Sequence, residues 1–238
     1  MIVDTHCHLD LFDDVEKATK DVIAITAGID YETNLKSLEL SKKFNNVKCC
    51  LGLYPLDALK LSDLEIDKEI SFIKQNKDSI IGIGEVGLDF KEGENKRQVR
   101  ILTKIVNELK SLDKIFVVHS RKAEKKCVEL FEKLKVKKVL FHCFEGNFKL
   151  VKRIEKNNWM LSIPCIVNRS EHFQRIVKDV DIRHLLLESD APFLCAKVGE
   201  RNEPRFVEDS LKVIAKIKKM KLEAVENILF ENYERNFD

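Results

Sequence analysis

Short apolar runs recur along the chain, and a longer stretch that mixes charged and apolar residues follows each of them. The runs are rich in Val, Ile and Leu and are too short for helices, so they predict strands. They lie at about 1–6, 22–27, 47–53, 79–85, 115–119, 138–142, 159–163 and 185–190. The runs at 115–118 and 185–187 show no polar alternation, which is typical of strands buried on both faces of a parallel sheet.

Amphipathic helices are predicted between these strands. The clearest patterns lie at 31–44, 63–76, 95–111, 121–134 and 205–220. In the segment 121–134, the apolar residues at helical spacing mark a buried face. They are Ala123, Cys127, Leu130, Phe131 and Leu134. Two short helices after the eighth strand are expected to close the fold.

Eight strands in 238 residues leave about 30 residues for each unit, which is the size of one βα repeat. The pattern therefore predicts an α/β fold, a TIM (β/α)8 barrel, formed as a single domain over residues 1–238. An open doubly wound sheet is the alternative. Gly82, Gly84 and Gly87 have the G-x-G-x-x-G spacing of a dinucleotide site, but no helix follows promptly, so the motif is weak support for nucleotide binding.

Composition narrows the class of protein. Hydrophobic residues make up 44% and charged residues 34% of the chain, which is too apolar for a disordered protein. No apolar run reaches the ~18 residues of a membrane helix, and no signal peptide is recognisable. We therefore expect a cytoplasmic protein, by default a monomer. The seven cysteines lack metal-binding spacing and are expected to be reduced and buried.

Side chains that can bind metal ions fall at the ends of predicted strands. They are His6, His8, Glu85, His119, His142 and Asp190. Because the C-terminal ends of barrel strands surround one mouth, we expect these side chains to converge there. Nitrogen and oxygen donors without a thiolate favour a catalytic pair of Mg²⁺, Mn²⁺ or Zn²⁺ ions over a structural zinc.

Alternation along the strands supports this grouping. His6 and His8 point to the same side of a strand and Cys7 to the other. The same rule places Glu188 on the face of Asp190. Glu188 is equally consistent with a supporting role behind the metal ligands and with a plain structural anchor.

The chain resembles the TatD family of metal-dependent deoxyribonucleases from residue 2 to about 237. Six motifs in order carry the resemblance. They are Asp4-Thr5-His6-Cys7-His8-Leu9-Asp10, Gly84-Glu85-Val86-Gly87-Leu88-Asp89, His119-Ser120-Arg121, His142-Cys143-Phe144-Glu145-Gly146, Ser189-Asp190-Ala191-Pro192 and Arg201-Asn202-Glu203-Pro204.

The resemblance implies two divalent metal ions and a nuclease reaction. One ion is implied to be bound by His6, His8, Glu85 and Asp190, and the second by Glu85, His119 and His142. Asp190 is implied to take a proton from the attacking water, so Asp190 and the bridging Glu85 are the expected catalytic residues. The implied substrate is DNA, cleaved as by an exonuclease, with single-stranded ends as the expected form.

One departure from the family concerns the substrate. The family often carries Gly-x-His-Pro after its third strand, where this chain has Gly52-Leu53-Tyr54-Pro55. The histidine is expected near the substrate phosphate, and Tyr54 can donate a hydrogen bond there but carries no positive charge. Arg121 and Arg201 are further candidates to bind phosphate, with structural ion pairs on the rim as the alternative for both.

Weaker candidates line the predicted loops of the same mouth. Lys91, Lys122, Lys149 and Arg169 would add local positive charge, although ordinary solvated side chains are the favoured interpretation. Phe144 and Phe193 could stack on a base, with core packing favoured.

Two other functions stay open at this point. Metal barrels of this type also hydrolyse amides, esters or lactones of small molecules, and the fold does not choose among these bonds. A binding module that has lost catalysis is the third hypothesis, and the complete ligand set argues against it.

Overall fold

The computed structural model describes residues 1–237, and its eight strands form one parallel sheet in the order β1 to β8. The strands are β1 (Ile2–Cys7), β2 (Val22–Ala27), β3 (Val47–Leu51), β4 (Gly82–Gly87), β5 (Ile115–His119), β6 (Val139–Phe141), β7 (Met160–Ile163) and β8 (Leu185–Leu187). Each strand pairs with the next in the chain. The predicted TIM barrel is confirmed.

Ten α-helices surround the sheet in the described part of the chain. They are α1 (Val15–Ala18), α2 (Tyr31–Lys43), α3 (Pro55–Ala58), α4 (Asp63–Gln75), α5 (Lys96–Leu109), α6 (Glu124–Lys133), α7 (Phe148–Lys156), α8 (Glu171–Asp179), α9 (Val207–Lys218) and α10 (Leu222–Phe237). Within residues 1–237, no helix has the length and apolar character needed to cross a membrane.

Polar side chains determine where several helices begin. Asp30 accepts a hydrogen bond from the Thr33 backbone N–H at the start of α2, and Ser62 does the same for Glu65 at the start of α4. Each pair forms a capping box that satisfies backbone donors of the first turn. The helix predicted from 121 begins instead at Glu124, because Lys122 adopts a left-handed backbone conformation with φ of 53°.

Hydrogen bonds from side chains join the last strand to the first. The Thr5 hydroxyl donates to the Leu187 carbonyl oxygen over 2.7 Å. The carboxylate of Asp4 accepts from the Ser189 backbone N–H at 2.8 Å and from the Ser189 hydroxyl at 2.5 Å. These groups are buried, so the bonds that close the barrel are shielded from competing water.

The inside of the barrel is filled by apolar side chains from seven strands. They form one cluster with α10, made of Val3, Ile25, Cys50, Ile115, Val117, Leu140, Met160, Leu186, Tyr233 and Phe237. Side chains from seven strands can meet only inside a barrel. Because Tyr233 and Phe237 belong to the same cluster, α10 covers one end of the barrel. Two helices follow β8, as expected: α9 has 12 residues and lies within the predicted segment 205–220, and α10 has 16 residues. The seven cysteines form no disulfide, and all but Cys143 are buried.

The glycines of β4 allow close contact with the neighbouring strands. A Cβ atom on Gly82 would lie 2.6 Å from Cys50 Sγ, one on Gly84 2.7 Å from Val117 Cβ, and one on Gly87 1.9 Å from the His119 carbonyl oxygen. The G-x-G-x-x-G spacing therefore serves strand packing, and β4 opens no helix that could bind a phosphate.

Replacing Gly87 by Ala is expected to destabilise the barrel, because the new methyl group would overlap the backbone of His119. We expect the free energy of unfolding in urea to fall by about 3 kcal/mol more than for Gly93→Ala. Gly93 is the matched control, since both residues have positive φ (155° and 107°) but no atom lies within 4 Å of a Cβ on Gly93. Equal losses for the two variants would contradict this packing role.

Candidate metal centre

Six side chains meet at the mouth of the barrel, at or just beyond the C-terminal ends of five strands. They are the predicted ligands His6, His8, Glu85, His119, His142 and Asp190. Asp190 Oδ1 lies 3.5 Å from Nε2 of His6 and 3.4 Å from Nε2 of His8. These three side chains form one group that could hold a metal ion.

Glu85 lies between this group and the two remaining histidines. Its Oε2 atom is 3.5 Å from Nε2 of His6 and 3.7 Å from Nε2 of His8. Its Oε1 atom is 2.8 Å from Nδ1 of His119 and 3.1 Å from Nε2 of His142. The two oxygens of one carboxylate therefore face two separate pairs of imidazoles.

Irregular strand pairing occurs next to two of these residues, His6 and Glu85. The pairing of β1 with β2 shifts between Asp4 and Cys7, and that of β4 with β5 shifts between Ile83 and Val86. Such irregularities turn side chains away from simple alternation and are common beside active sites. Glu85 lies inside β4, whereas the sequence predicted it at the end of that strand.

Asp190 reaches the site from a loop, because β8 ends at Leu187. Its backbone N–H donates to the His6 carbonyl oxygen at 2.9 Å, and the His8 N–H donates to the Ala191 oxygen at 2.8 Å. Asp190 has a φ of 54°, an uncommon conformation for a residue with a side chain. Tertiary hydrogen bonds, not strand geometry, thus place Asp190.

The buried donor atoms fit a cation. The His6 side chain is fully enclosed, and its Nε2 atom makes no hydrogen bond within residues 1–237. An unpaired polar nitrogen in such a place costs free energy unless a ligand satisfies it. A second group, His6, Glu85 and His142, also has its donor atoms close enough together for one ion.

The electrostatics of the site keep both carboxylates ionised. Burial alone raises the pKa of Glu85, but the nearby imidazoles of His142, His119 and His6 hold it well below its usual range. Burial likewise raises the pKa of Asp190, and the imidazoles of His6 and His8, 3.5 and 3.4 Å away, more than reverse that effect. Two negative charges in a buried place favour binding of a cation.

Nearby carboxylates raise the pKa values of two of the histidines, His119 and His6. Burial lowers the pKa of His119, but hydrogen bonds to Asp89 and Glu85 outweigh it and raise the pKa to about 9. The pKa of His6 is also raised, because the carboxylates of Asp190 and Glu85, each 3.5 Å from its Nε2 atom, outweigh the effect of its burial. Without a metal ion, protons on these imidazoles would offset the two carboxylates.

Glu188 and Asp190 both follow β8, which ends at Leu187, so strand alternation does not determine their relative orientation. The Glu188 carboxylate accepts hydrogen bonds from the Ser162 hydroxyl at 2.6 Å and the Cys143 N–H at 2.8 Å. It lies 3.8 Å from Nδ1 of His142. Burial raises the pKa of Glu188 to about 8.

Asp89 is a residue of the site that the sequence reasoning missed. Its Oδ2 atom lies 3.1 Å from Nε2 of His119, and its side chain is buried. A carboxylate between the apolar residues Leu88 and Phe90, four positions after Glu85, was the available signal. A buried acid in such a position needs a hydrogen-bonding partner.

A cavity of about 310 Å³ opens beside the predicted ligands. It is lined by His119, Ser120, Arg121, Glu124, His142, Cys143, Glu145, Ile166, Asp190 and Leu194. Arg121 is therefore at the place where a substrate would enter. Lys91, Lys122, Lys149 and Arg169 are exposed but do not line this cavity.

The other two predicted substrate contacts have protein partners. The Tyr54 hydroxyl donates to Asp89 Oδ2 at 3.0 Å. Arg201 donates to the Leu11 carbonyl oxygen, and its guanidinium lies 4.7 Å from the centre of the Phe12 ring. These contacts hold Arg201 on the rim through a hydrogen bond and a ring contact, and not through the ion pair expected as the alternative.

The two candidate stacking residues differ in exposure. Phe144 is fully buried and packs against Phe141, as core packing requires. Phe193 is 54% exposed, and its ring centre lies 6.0 Å from that of His8. Only Phe193 has a face that a base could reach.

Comparisons with known proteins agree with this geometry. The model of the TatD related DNase family matches residues 3–238. An uncharacterized metal-dependent hydrolase of Methanocaldococcus jannaschii is 37% identical over 238 residues, which cover 97% of this chain and 94% of that protein. Deoxyribonuclease TATDN3 of Homo sapiens is 32% identical over 253 residues, covering 97% of this chain and 92% of that protein.

A solved structure shows the same fold. The crystal structure of YjjV, a TatD homologue from Escherichia coli, superimposes with a TM-score of 0.91 at 21% identity, covering 99% of this chain and 97% of that one. With a family match over nearly the whole sequence, the chain belongs to the TatD-related DNase family and is a metal-dependent hydrolase.

Proposed function

We propose that this protein hydrolyses phosphodiester bonds of DNA with two divalent ions, Mg²⁺, Mn²⁺ or Zn²⁺, and that single-stranded ends are its substrate. The observation that carries the proposal is the position of Glu85, whose two oxygens face different histidine pairs. Membership of the family and the name of the human relative support DNA as the substrate.

The six side chains divide into two ligand sets that share Glu85. His6, His8, Glu85 and Asp190 would hold one ion, and Glu85, His119 and His142 would hold the other. When bound, such a pair of ions lowers the pKa of water and neutralises charge on a phosphate group.

Asp190 is the proposed acceptor of the proton from water. It lines the cavity, and its side chain is 15% exposed, whereas that of Glu85 is 5% exposed. Since its pKa is held below the usual range, Asp190 is ionised at neutral pH and can accept a proton. Glu85 is too enclosed for that role and is proposed to hold both ions.

Arg121 and Phe193 are the proposed substrate contacts. Arg121 lines the cavity beside His119 and can orient a phosphate through two parallel N–H groups. The exposed ring of Phe193, next to His8, offers a face for the terminal base. The cytoplasmic location and the monomeric state stay predictions from the sequence.

Hydrolysis of an amide, ester or lactone in a small molecule is the second candidate. Glu124 and Glu145 line the cavity, and Arg121 is its one lysine or arginine among the described residues. Two carboxylates repel a polyanion, so this lining also suits a substrate with less negative charge.

The two candidates are separated by a substrate panel. The protein loaded with Mg²⁺, Mn²⁺ or Zn²⁺ is expected to shorten 3′- or 5′-labelled single strands of DNA and to leave small esters, amides and lactones intact. The variant His6→Ala/His8→Ala is expected to bind fewer ions and to cleave DNA at least about 100-fold more slowly.

His184→Ala is the control for that variant, because His184 bonds the Trp159 carbonyl oxygen outside the mouth. It should keep full ion content and rate. Undiminished DNA cleavage by His6→Ala/His8→Ala would refute the proposed mechanism, and turnover of only the small molecules would favour the second candidate.

The change Asp190→Asn is expected to lower the rate constant of cleavage by about 10²- to 10⁴-fold while part of the bound metal is kept, because the proton acceptor is removed. The checks are single-turnover kinetics and metal analysis of the purified protein. Asp113→Asn, at an exposed turn, serves as the control. A normal rate for Asp190→Asn would assign proton transfer to another group.

A further inference from the structure

Tyr54 makes a contact that its expected role as a substrate ligand does not explain. Its hydroxyl donates a hydrogen bond to Oδ2 of Asp89 at 3.0 Å. The same oxygen lies 3.1 Å from Nε2 of His119. Tyr54, Asp89 and His119 therefore form a continuous chain that ends at the centre of the site.

The middle member of this chain is fixed on several sides. Asp89 Oδ1 accepts a hydrogen bond from the Lys91 backbone N–H at 2.9 Å. The Gln98 side chain bonds both the backbone N–H and the carbonyl oxygen of Asp89, each at 2.9 Å. The carboxylate is thus held in one orientation, with Oδ2 shared by Tyr54 and His119.

This arrangement selects a form of His119. To donate to Asp89, Nε2 must carry the proton, which leaves the lone pair on Nδ1. Nδ1 is the atom that lies 2.8 Å from Glu85 Oε1 and 3.3 Å from His142 Nε2. A carboxylate behind a metal-binding histidine orients the ring and raises its basicity.

Tyr54 is itself held firmly. Its backbone N–H donates to the Ile29 carbonyl oxygen at 2.8 Å, and Pro55 follows it at the first position of α3. Its ring packs edge-on against His119, with ring centres 5.0 Å apart and planes at 69°. The side chain therefore touches both other members of the chain.

We propose that Tyr54 is a positioning residue that acts through Asp89 to hold the His119 ring in the orientation needed to bind a metal ion. The inference rests on the proposed function, in that His119 is taken as a ligand. It assigns Tyr54 to the support of the metal centre, where the sequence alone suggested contact with the substrate.

The chemistry of the side chain explains why tyrosine stands here. The hydroxyl lies at the far end of a six-membered ring, farther from Cα than either nitrogen of a histidine. This length lets the Tyr54 hydroxyl contact Asp89 Oδ2 at 3.0 Å while the ring packs against His119.

The test uses Tyr54→Phe, which keeps the ring and removes the hydroxyl, with Co²⁺ as the probe ion. The Co²⁺ dissociation constants and visible absorption spectrum are measured without substrate. In Tyr54→Phe, we expect the more weakly bound Co²⁺ ion to lose about 3- to 10-fold in affinity and the absorption spectrum to change. The reason is that this variant loses one of the three hydrogen bonds to the Asp89 carboxylate. Asp89→Asn is expected to lose about 10- to 100-fold.

A double-variant cycle separates positioning from other roles. If Tyr54 acts through Asp89, Tyr54→Phe/Asp89→Asn binds Co²⁺ no more weakly than Asp89→Asn alone. Tyr31→Phe is the matched control, since Tyr31 is 50% exposed and packs against Phe72 away from the site. It should leave Co²⁺ affinity and spectrum unchanged.

Unchanged Co²⁺ affinity and spectrum in Tyr54→Phe would overturn the proposal, as would additive losses in the double variant. A raised KM for DNA with normal ion affinity would instead place Tyr54 against the substrate. Because ion binding is measured without substrate, failure of the proposed DNA hydrolysis would leave this test intact. Thermal unfolding of each variant verifies that the barrel is folded.

Discussion

The two oxygens of the Glu85 carboxylate face different histidine pairs, and the surrounding barrel keeps them there. Oε2 faces His6 and His8, and Oε1 faces His119 and His142. The irregular pairing of β4 with β5 turns the side chain into this place. Close packing around the glycines of β4 then prevents the strand from shifting, because the neighbouring atoms leave no free space. One buried carboxylate thus contacts all four histidines of the cluster, which is the arrangement that the proposed pair of ions would need.

The hydrogen bonds between the first strand and the segment after the last strand position the second carboxylate of the site, that of Asp190. Asp4 bonds Ser189, and the carbonyl oxygen of His6 accepts the backbone N–H of Asp190. The bonds that close the barrel therefore also fix the distance between His6 and Asp190. Loss of closure would separate those two side chains, so the stability of the fold and the geometry of the site depend on the same hydrogen bonds.

Local patterns were sufficient for the fold and for part of the site. The apolar runs identified all eight strands to within a few residues, and a spacing of two placed His6 and His8 together. Alternation could not place Asp190, because β8 ends at Leu187 and the loop beyond it is shaped by contacts with β1. The stacking of Arg201 on Phe12 joins residues far apart in the chain, and no local pattern contains such a contact.

The charge of the cavity links the role of Tyr54 to the binding of substrate. Glu124, Glu145 and Asp190 line the cavity, and Arg121 is the one lysine or arginine there among the described residues, so the acidic side chains oppose the entry of a phosphate. In the proposed reaction, bound cations would offset this repulsion and would act on substrate binding as well as on the reaction itself. A misoriented His119 would then change KM and kcat together. The loss of a direct contact with the substrate can also change both quantities. For this reason the ion affinity, not the rate, distinguishes a residue that positions His119 from one that touches DNA.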